Sequence, residues 1–296
     1  MSKDVIERLG VVAGRGEYPL LLCREAKRVG VSHMAAVAMH GETDPGIEAV
    51  ADSVDWVYVG QLNKTIKAFK RQDVANVIFA GQIKPGSLFK GMRPDLRALK
   101  ILKALRTRNA ESIFGTIAEE FVRDGVEVMP ATLYLENYLA AAGVMGKIKP
   151  ARKYRADIEY GQFVAQETSR LDIGQTVIVK NGTVLAVEAF EGTDKAVRRG
   201  GEVGHGGVVV VKRAKRDHDM RFDVPCIGPW TVDALIAADA KVLAVEAGKT
   251  LFLERDRVLS ALDAAKIAVV GFDGDTAPQS PIDVNGRRPR RQDSPT

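Results

Sequence analysis

The chain is 296 residues long, 46% hydrophobic and 27% charged with both signs interspersed, which suits a soluble globular protein with room for two ordinary domains. A net charge of +5 favours anionic partners, and the lack of a basic domain with interleaved aromatics argues against nucleic acid. Cys23 and Cys226 are too few and too far apart for a disulfide framework or a cysteine-based zinc site, so a reducing compartment and ordinary apolar roles are expected for both. Met1-Ser2-Lys3-Asp4 is polar and runs straight into a strand-like segment, unlike a signal peptide, and no apolar run is long enough to cross a membrane. A cytoplasmic protein is expected.

Residues 9–13 (Leu-Gly-Val-Val-Ala) read as a buried parallel strand, followed by Gly14-Arg15-Gly16-Glu17-Tyr18-Pro19 and an apolar helix over 20–27. Strand, glycine turn and helix in that order form the first unit of a doubly wound domain, where loop amides and the helix N-terminus can face a phosphate. Gly14 and Gly16 are therefore candidate substrate-binding positions. The dinucleotide fingerprint is incomplete, because Pro19 stands where its third glycine would be and the second strand, 34–39, runs out at His40-Gly41 without an acid. No Gly-Lys-Ser/Thr follows the glycines either, so the loop is read as another kind of phosphate or nucleotide site, or as a structural turn.

Strands are expected at 56–59 and 74–80 with a helix over 64–70 between them, the alternation of a parallel sheet with helices on both faces. Gly81-Gln82-Ile83-Lys84-Pro85 follows the last of these strands, which makes Lys84 a candidate phosphate contact beside the glycine turn. Over 94–106, leucines fall at helical spacing with basic residues at 97, 100, 103 and 106, a stripe that either faces solvent or rests on anionic lipid. A second amphipathic helix after Asn109 and a strand at 126–129 close this half. Periodicity fails over 140–150, so the domain junction is placed at 145/146.

In the second half a helix is expected over 160–170, and two β-branched runs flanking Asn181-Gly182 predict a two-residue hairpin over 175–189. Its second strand leads into Glu188-Ala189-Phe190-Glu191-Gly192-Thr193-Asp194, where carboxylates and a hydroxyl suit Mg²⁺ or form a solvated acidic loop. Arg198, Arg199 and the glycine-rich run 200–207 read as a flexible loop that carries guanidinium groups to a phosphate or lies on the surface. A buried strand over 207–212 then runs into Asp217-His218-Asp219-Met220-Arg221-Phe222-Asp223-Val224-Pro225, the densest polar stretch of the chain. Leu243-Ala244-Val245-Glu246-Ala247 echoes Leu185-Ala186-Val187-Glu188-Ala189, as if two similarly placed strands each delivered a glutamate. Residues 250–253 are expected to be the partner strand of 243–248, 256–265 a helix and 266–271 the last strand. From 273 the chain is rich in Pro, Asp and Arg without periodicity and is expected to be a disordered tail.

The motifs Gly10 to Pro19, Leu171-Asp172-Ile173-Gly174-Gln175, Val187 to Asp194 and Asp219 to Pro225 resemble the metal-dependent UDP-2,3-diacylglucosamine pyrophosphatase family of lipid A synthesis, the type unrelated to calcineurin-like phosphoesterases. The resemblance covers about residues 8–272, and its last two motifs are the most specific. It implies a cytoplasmic α/β enzyme with an N-terminal Rossmann-like doubly wound sheet (1–145, the nucleotide side) and a C-terminal mixed α/β domain (146–272, carrying the catalytic acids). The implied reaction is Mg²⁺-assisted hydrolysis, with Mn²⁺ as an alternative metal, of UDP-2,3-diacylglucosamine to 2,3-diacylglucosamine 1-phosphate and UMP. The implied essential aspartate is Asp223. Glu188, Glu191, Asp194 and Asp219 are the candidate metal ligands, while Thr193, Lys212 and Arg221 join Gly14, Gly16 and Lys84 as candidate substrate contacts. A homodimer and peripheral contact with the inner membrane complete the expectation. A binding protein for the same nucleotide-sugar-lipid, without turnover, is the competing class.

Overall fold

The computed structural model describes residues 5–83, 92–105, 110–215, 219–221 and 224–274. Lys84, Asn109, Asp217, His218, Asp223 and all but the first two residues of the tail expected from 273 lie outside the described residues. The chain divides into two compact units, Met1–Asn137 with Asp219–Val224, and Tyr138–His218 with Pro225–Thr296.

The first unit is a five-stranded parallel sheet in the order β3-β2-β1-β4-β5, with β1 at Arg8–Ala13, β2 at His33–Met39, β3 at Ser53–Val57, β4 at Asn76–Ala80 and β5 at Glu127–Val128. The strand order reverses between β1 and β4, the doubly wound arrangement expected from the alternation of strands and helices. Helix α1 (Tyr18–Arg28) starts with Pro19 in its first turn and ends on Lys27 and Arg28, whose charges complement the negative end of the helix. Its thiol is inert: burial pushes Cys23 up to about 12. Helices α2 (Leu62–Lys70), α3 (Leu96–Ala104) and α4 (Ala110–Arg123) pack Ile66, Phe69, Ile101 and Phe121 against Val12, Ala35 and Val37 of the sheet.

The basic stripe on α3 is only partly a solvated face. Arg97 donates to Glu120 of α4 at 2.5 Å and to Asp124 just after it at 2.5 Å, whereas Leu96 is 79% exposed. The apolar periodicity of α3 thus does not point wholly inward, because its ion pairs turn a basic position toward the neighbouring helix.

The second unit holds a six-stranded sheet ordered β6-β13-β11-β9-β7-β8. These strands are β6 at Gly143–Val144, β7 at Thr176–Lys180, β8 at Thr183–Val187, β9 at Val209–Lys212, β11 at Val242–Glu246 and β13 at Ala268–Phe272. A separate parallel pair joins β10 (Cys226–Ile227) to β12 (Leu251–Phe252). The expected hairpin is present: Asn181 and Gly182 have φ of 51° and 74°, and both turn amides donate to buried Asp157 of helix α5 (Arg155–Arg170). Helix α5 covers one face of the sheet through Ala165 against Val177 and Val211. The other face is covered by α6 (Thr193–Gly204), α7 (Pro229–Ala237) and α8 (Arg255–Ala264), which contribute Val197, Leu235 and Leu262 to the larger core.

Four features differ from the sequence expectation. The units divide at Asn137/Tyr138 rather than 145/146, because Leu139 bridges Leu251 and β6 pairs with β13, which draws 138–144 into the second unit. The glycine-rich run expected to be a flexible loop is helical to Gly204, and its glycines serve close packing. A Cβ at Gly200 would stand 2.6 Å from Ile178, and one at Gly201 would collide with the backbone of Ala238. The strand at 251–252 pairs with β10 instead of β11, whose neighbours are β9 and β13. Helix α7, opened by Gly228-Pro229, carries apolar residues on all sides and lacks the amphipathic period that would announce it. Among the described residues no helix is long and apolar enough to cross a membrane.

Candidate functional site

In the first unit, the crevice at the β1/β4 reversal is narrowed by the backbone itself. The Gly14 N–H donates to the Ala80 carbonyl at 2.7 Å, and Arg15 pairs with Gln82 in both directions. Gly14 and Gly81 permit this contact, since a Cβ at either would press on the opposite loop at 2.7 Å. Gly16 serves conformation instead: its φ is 94° and nothing lies near a would-be Cβ. The Gly14 amide is therefore committed to the sheet, and the turn gains a structural role whatever it binds.

Asp219, Met220 and Arg221 belong to this same unit. The Met220 carbonyl accepts the Ala131 N–H at 2.7 Å, just beyond β5. Arg221 donates to Asp219 through Nε at 2.9 Å and Nη2 at 2.6 Å, and its own N–H reaches Asp219 Oδ1 at 3.0 Å. The hydrogen bonds to Asp219 hold the Arg221 guanidinium protonated even more firmly than usual. Asp219 is thus occupied by a cation of its own chain.

The second unit gathers its polar residues at one edge of the six-stranded sheet. Because β7 is antiparallel to both β8 and β9, and β9 is parallel to β11, strands β8, β9 and β11 all run the same way. Their carboxyl ends bring Glu188, Lys212, Arg213 and Glu246 to that edge, together with Thr176 at the start of β7 and Thr193 at the start of α6. The Lys212 side chain is only 7% exposed, and its Nζ donates to Thr193 Oγ1 at 2.8 Å and Thr176 Oγ1 at 3.3 Å. Thr193 in turn donates to Glu188 Oε1 at 2.8 Å, and Glu188 Oε2 lies 3.9 Å from Lys212 Nζ. That second oxygen is buried without a hydrogen bond among the described residues. Next along the edge, Glu246 accepts the Ala214 N–H at 3.0 Å and meets Lys249 at 2.7 Å and Arg213 at 3.8 Å. Arg213 donates to the Gly274 carbonyl at 2.5 Å while its buried Nη1 has no hydrogen-bond partner among the described residues.

The four expected metal ligands are not brought together within either unit. Glu188, Glu191 and Asp194 lie in the second and Asp219 in the first. Each is engaged otherwise: Glu188 by Thr193 and Lys212, Asp194 by Thr231 at 3.0 Å, Asp219 by Arg221, and Glu191 by Arg199 at 2.6 Å. The Arg199 hydrogen bond holds the Glu191 carboxyl below the ordinary range. No three His, Cys, Asp or Glu residues among those described converge as a metal site would require. Within each unit the described carboxylates form no such cluster, while the buried Lys212 ammonium with the Thr193 and Thr176 hydroxyls suits phosphate oxygens.

Thr176, Arg213 and Glu246 join this edge without having been singled out for it. The echo between the Glu188 and Glu246 segments was the available signal, and the two glutamates do emerge at the same end of one sheet. Gly174 also matters locally, since a Cβ there would overlap the Glu188 carbonyl. Gly174→Ala is expected to displace the exit of β8 and cut activity by roughly tenfold or more while the protein stays folded, because misplacing a reacting group by about 1 Å costs up to a hundredfold. Steady-state kinetics beside circular dichroism would check it, and unchanged kinetics would remove Glu188 from the site.

Comparison with known proteins bears on the whole chain. The family model described as the LpxI N-terminal domain matches residues 8–138, and that of the LpxI C-terminal domain matches residues 141–270. A Caulobacter vibrioides protein named UDP-2,3-diacylglucosamine pyrophosphatase LpxI is 31% identical over 284 residues, covering 92% of this chain and 100% of that protein. Among solved structures, the ADP complex of purK, N5-carboxyaminoimidazole ribonucleotide synthetase, is 10% identical with a TM-score of 0.27, covering 65% of this chain and 41% of that one. The biotin carboxylase subunit of pyruvate carboxylase is 14% identical with a TM-score of 0.26, covering 63% and 38%. Such TM-scores do not establish a common fold. The two family matches and the full-length alignment agree with each other: this chain belongs to the LpxI family.

Proposed function

We propose that this protein hydrolyses the pyrophosphate bond of UDP-2,3-diacylglucosamine, releasing 2,3-diacylglucosamine 1-phosphate and UMP in lipid A biosynthesis. The observation that carries this reading is the alignment with the Caulobacter pyrophosphatase over that protein's entire length. The edge of the second sheet supplies suitable chemistry. Water attacking a phosphorus needs the negative charge on the phosphate oxygens met by fixed cations, and no cysteine or serine nucleophile is required. Lys212 is held by Thr193 and Thr176 in a buried setting where its charge acts strongly. Asp223 is assigned to orient or deprotonate the attacking water, on the family motif that it occupies. The first unit is assigned the nucleotide side, and the exposed Leu96 with Lys100 and Lys103 on α3 the peripheral membrane contact. A homodimer belongs to the same proposal and is read by sedimentation.

The test is release of UMP from UDP-2,3-diacylglucosamine by the purified protein and by Asp223→Ala. Loss of a positioned base is expected to slow turnover about a hundred- to ten-thousandfold. A folded Asp223→Ala protein working near the wild-type rate would overturn the assignment, and substrate binding without UMP release at any Mg²⁺ or Mn²⁺ concentration would make the protein a binder instead. An EDTA arm addresses the metal. Activity lost on chelation and restored by Mg²⁺ would place the ion outside the described donor set, and activity retained would remove it from the reaction.

A further inference from the structure

Asp219–Val224 belongs to the first unit although the chain on either side of it belongs to the second. Among the described residues of this segment none lies in a helix or a strand, so it takes its place from single contacts rather than from a ladder. Asp219 closes the strap on itself by accepting the N–H and the guanidinium of Arg221. The Met220 carbonyl fixes it to the first unit by accepting the Ala131 N–H at 2.7 Å. Ala131 is itself held. It is 1% exposed, in the turn beyond β5, and its carbonyl accepts the hydroxyl proton of Tyr18, the buried residue that opens α1 after the glycine turn. A second phenol ties the same turn elsewhere, since the Tyr134 hydroxyl accepts the Ile6 N–H at 3.1 Å.

We propose that Tyr18 is a positioning residue for the hydrolysis: through Ala131 it fixes Met220, and so sets where the strap presents Asp223. The chain of contacts runs from the Tyr18 hydroxyl to the Ala131 carbonyl, and from the Ala131 N–H to the Met220 carbonyl. Tyr18 and Ala131 are both buried, so water does not take over the bond when the hydroxyl is removed, and the freed carbonyl must shift to find another donor. Any such shift passes to the strap through Met220. A reacting group misplaced by about 1 Å loses up to a hundredfold in rate, which makes a small displacement of Ala131 costly to turnover. The proposal rests on the reading that Asp223 serves the attacking water.

The experiment is Tyr18→Phe, which keeps the buried ring and removes only the hydroxyl. The kcat for UMP release is expected to fall about tenfold with KM held within about twofold, because the loss falls on a group that acts in the transition state and not on substrate binding. Tyr134→Phe is the control: it takes a hydroxyl from the same turn and should leave kcat within about twofold of wild type. In the Asp223→Ala protein, Tyr18→Phe should cost less than about twofold more, since a residue that acts through Asp223 then has nothing left to position. Hydrogen exchange reads the strap without turnover, and the Ala131 amide should exchange about tenfold faster in Tyr18→Phe than in wild type. An unchanged kcat, an equal loss in the wild-type and Asp223→Ala backgrounds, a matching loss in Tyr134→Phe or an unchanged Ala131 exchange would each overturn the positioning role. A near wild-type rate in Asp223→Ala would instead overturn the reading beneath it, and the Ala131 exchange would still decide whether Tyr18 fixes the strap.

Discussion

Lys212→Met is expected to remove most turnover, by about a hundredfold or more, and to cost about 3 kcal/mol of stability. Methionine keeps the length and apolar stem of lysine, so packing against the sheet changes little. What disappears is the ammonium that holds Thr193 at 2.8 Å and stands 3.9 Å from the carboxylate of Glu188. Among the described residues Glu188 Oε2 already lacks a hydrogen bond, and without Lys212 it becomes a nearly buried negative charge with no other cation of theirs beside it. Breaking a buried pair from one side costs about 3–5 kcal/mol, and the 14% exposure of Glu188 favours the lower end. Urea unfolding reads the stability and UMP release at saturating substrate reads the chemistry. Adding Glu188→Gln should restore much of the stability but none of the turnover, because it removes the stranded charge without returning the cation. Near wild-type turnover by Lys212→Met would remove this edge from the reaction.

Glu246→Leu is expected to be the most damaging single change for stability in the second unit, at about 3–5 kcal/mol and roughly 10 °C in Tm. The Glu246 side chain is 2% exposed and holds the Ala214 N–H, Lys249 and Arg213 at once. Leucine fills the space yet strands the Arg213 guanidinium, which is 10% exposed and already has one nitrogen without a hydrogen-bond partner among the described residues. Lys249→Met makes the contrast. That lysine is 42% exposed, so water can replace its contact and the loss should stay below about 1 kcal/mol. Equal losses from the two substitutions, measured by calorimetry, would show that the Arg213–Glu246 contact is not what secures this edge.

Local chemistry accounts for what the chain disclosed directly. Strand β1, the helix after Pro19 and the Asn181-Gly182 hairpin follow from residues that are neighbours in sequence, where side-chain period and turn conformation act over a few positions. Errors arose where a residue's partner is distant. Gly200 and Gly201 look like a loop until Ile178 and Ala238 press against them, and 251–252 looks like a neighbour of β11 until β10 claims it.

The amino-acid sequence by itself determined the α/β class, the two-domain plan and the family motifs, since periodicity and unusual residue combinations survive without any contact being known. Only the tertiary structure decided which polar residues share a site. Strand direction in the second sheet set Glu188, Lys212, Arg213 and Glu246 at one end of that sheet, and the division of the chain into two units left Asp219 with Arg221 in the first. The physical reason is that a carboxylate's role depends on its nearest cation. For Glu191 that is Arg199, for Asp219 it is Arg221, and for Glu188 it is Lys212 twenty-four residues away along the chain, a pairing that exists only once β8, β7 and β9 lie side by side.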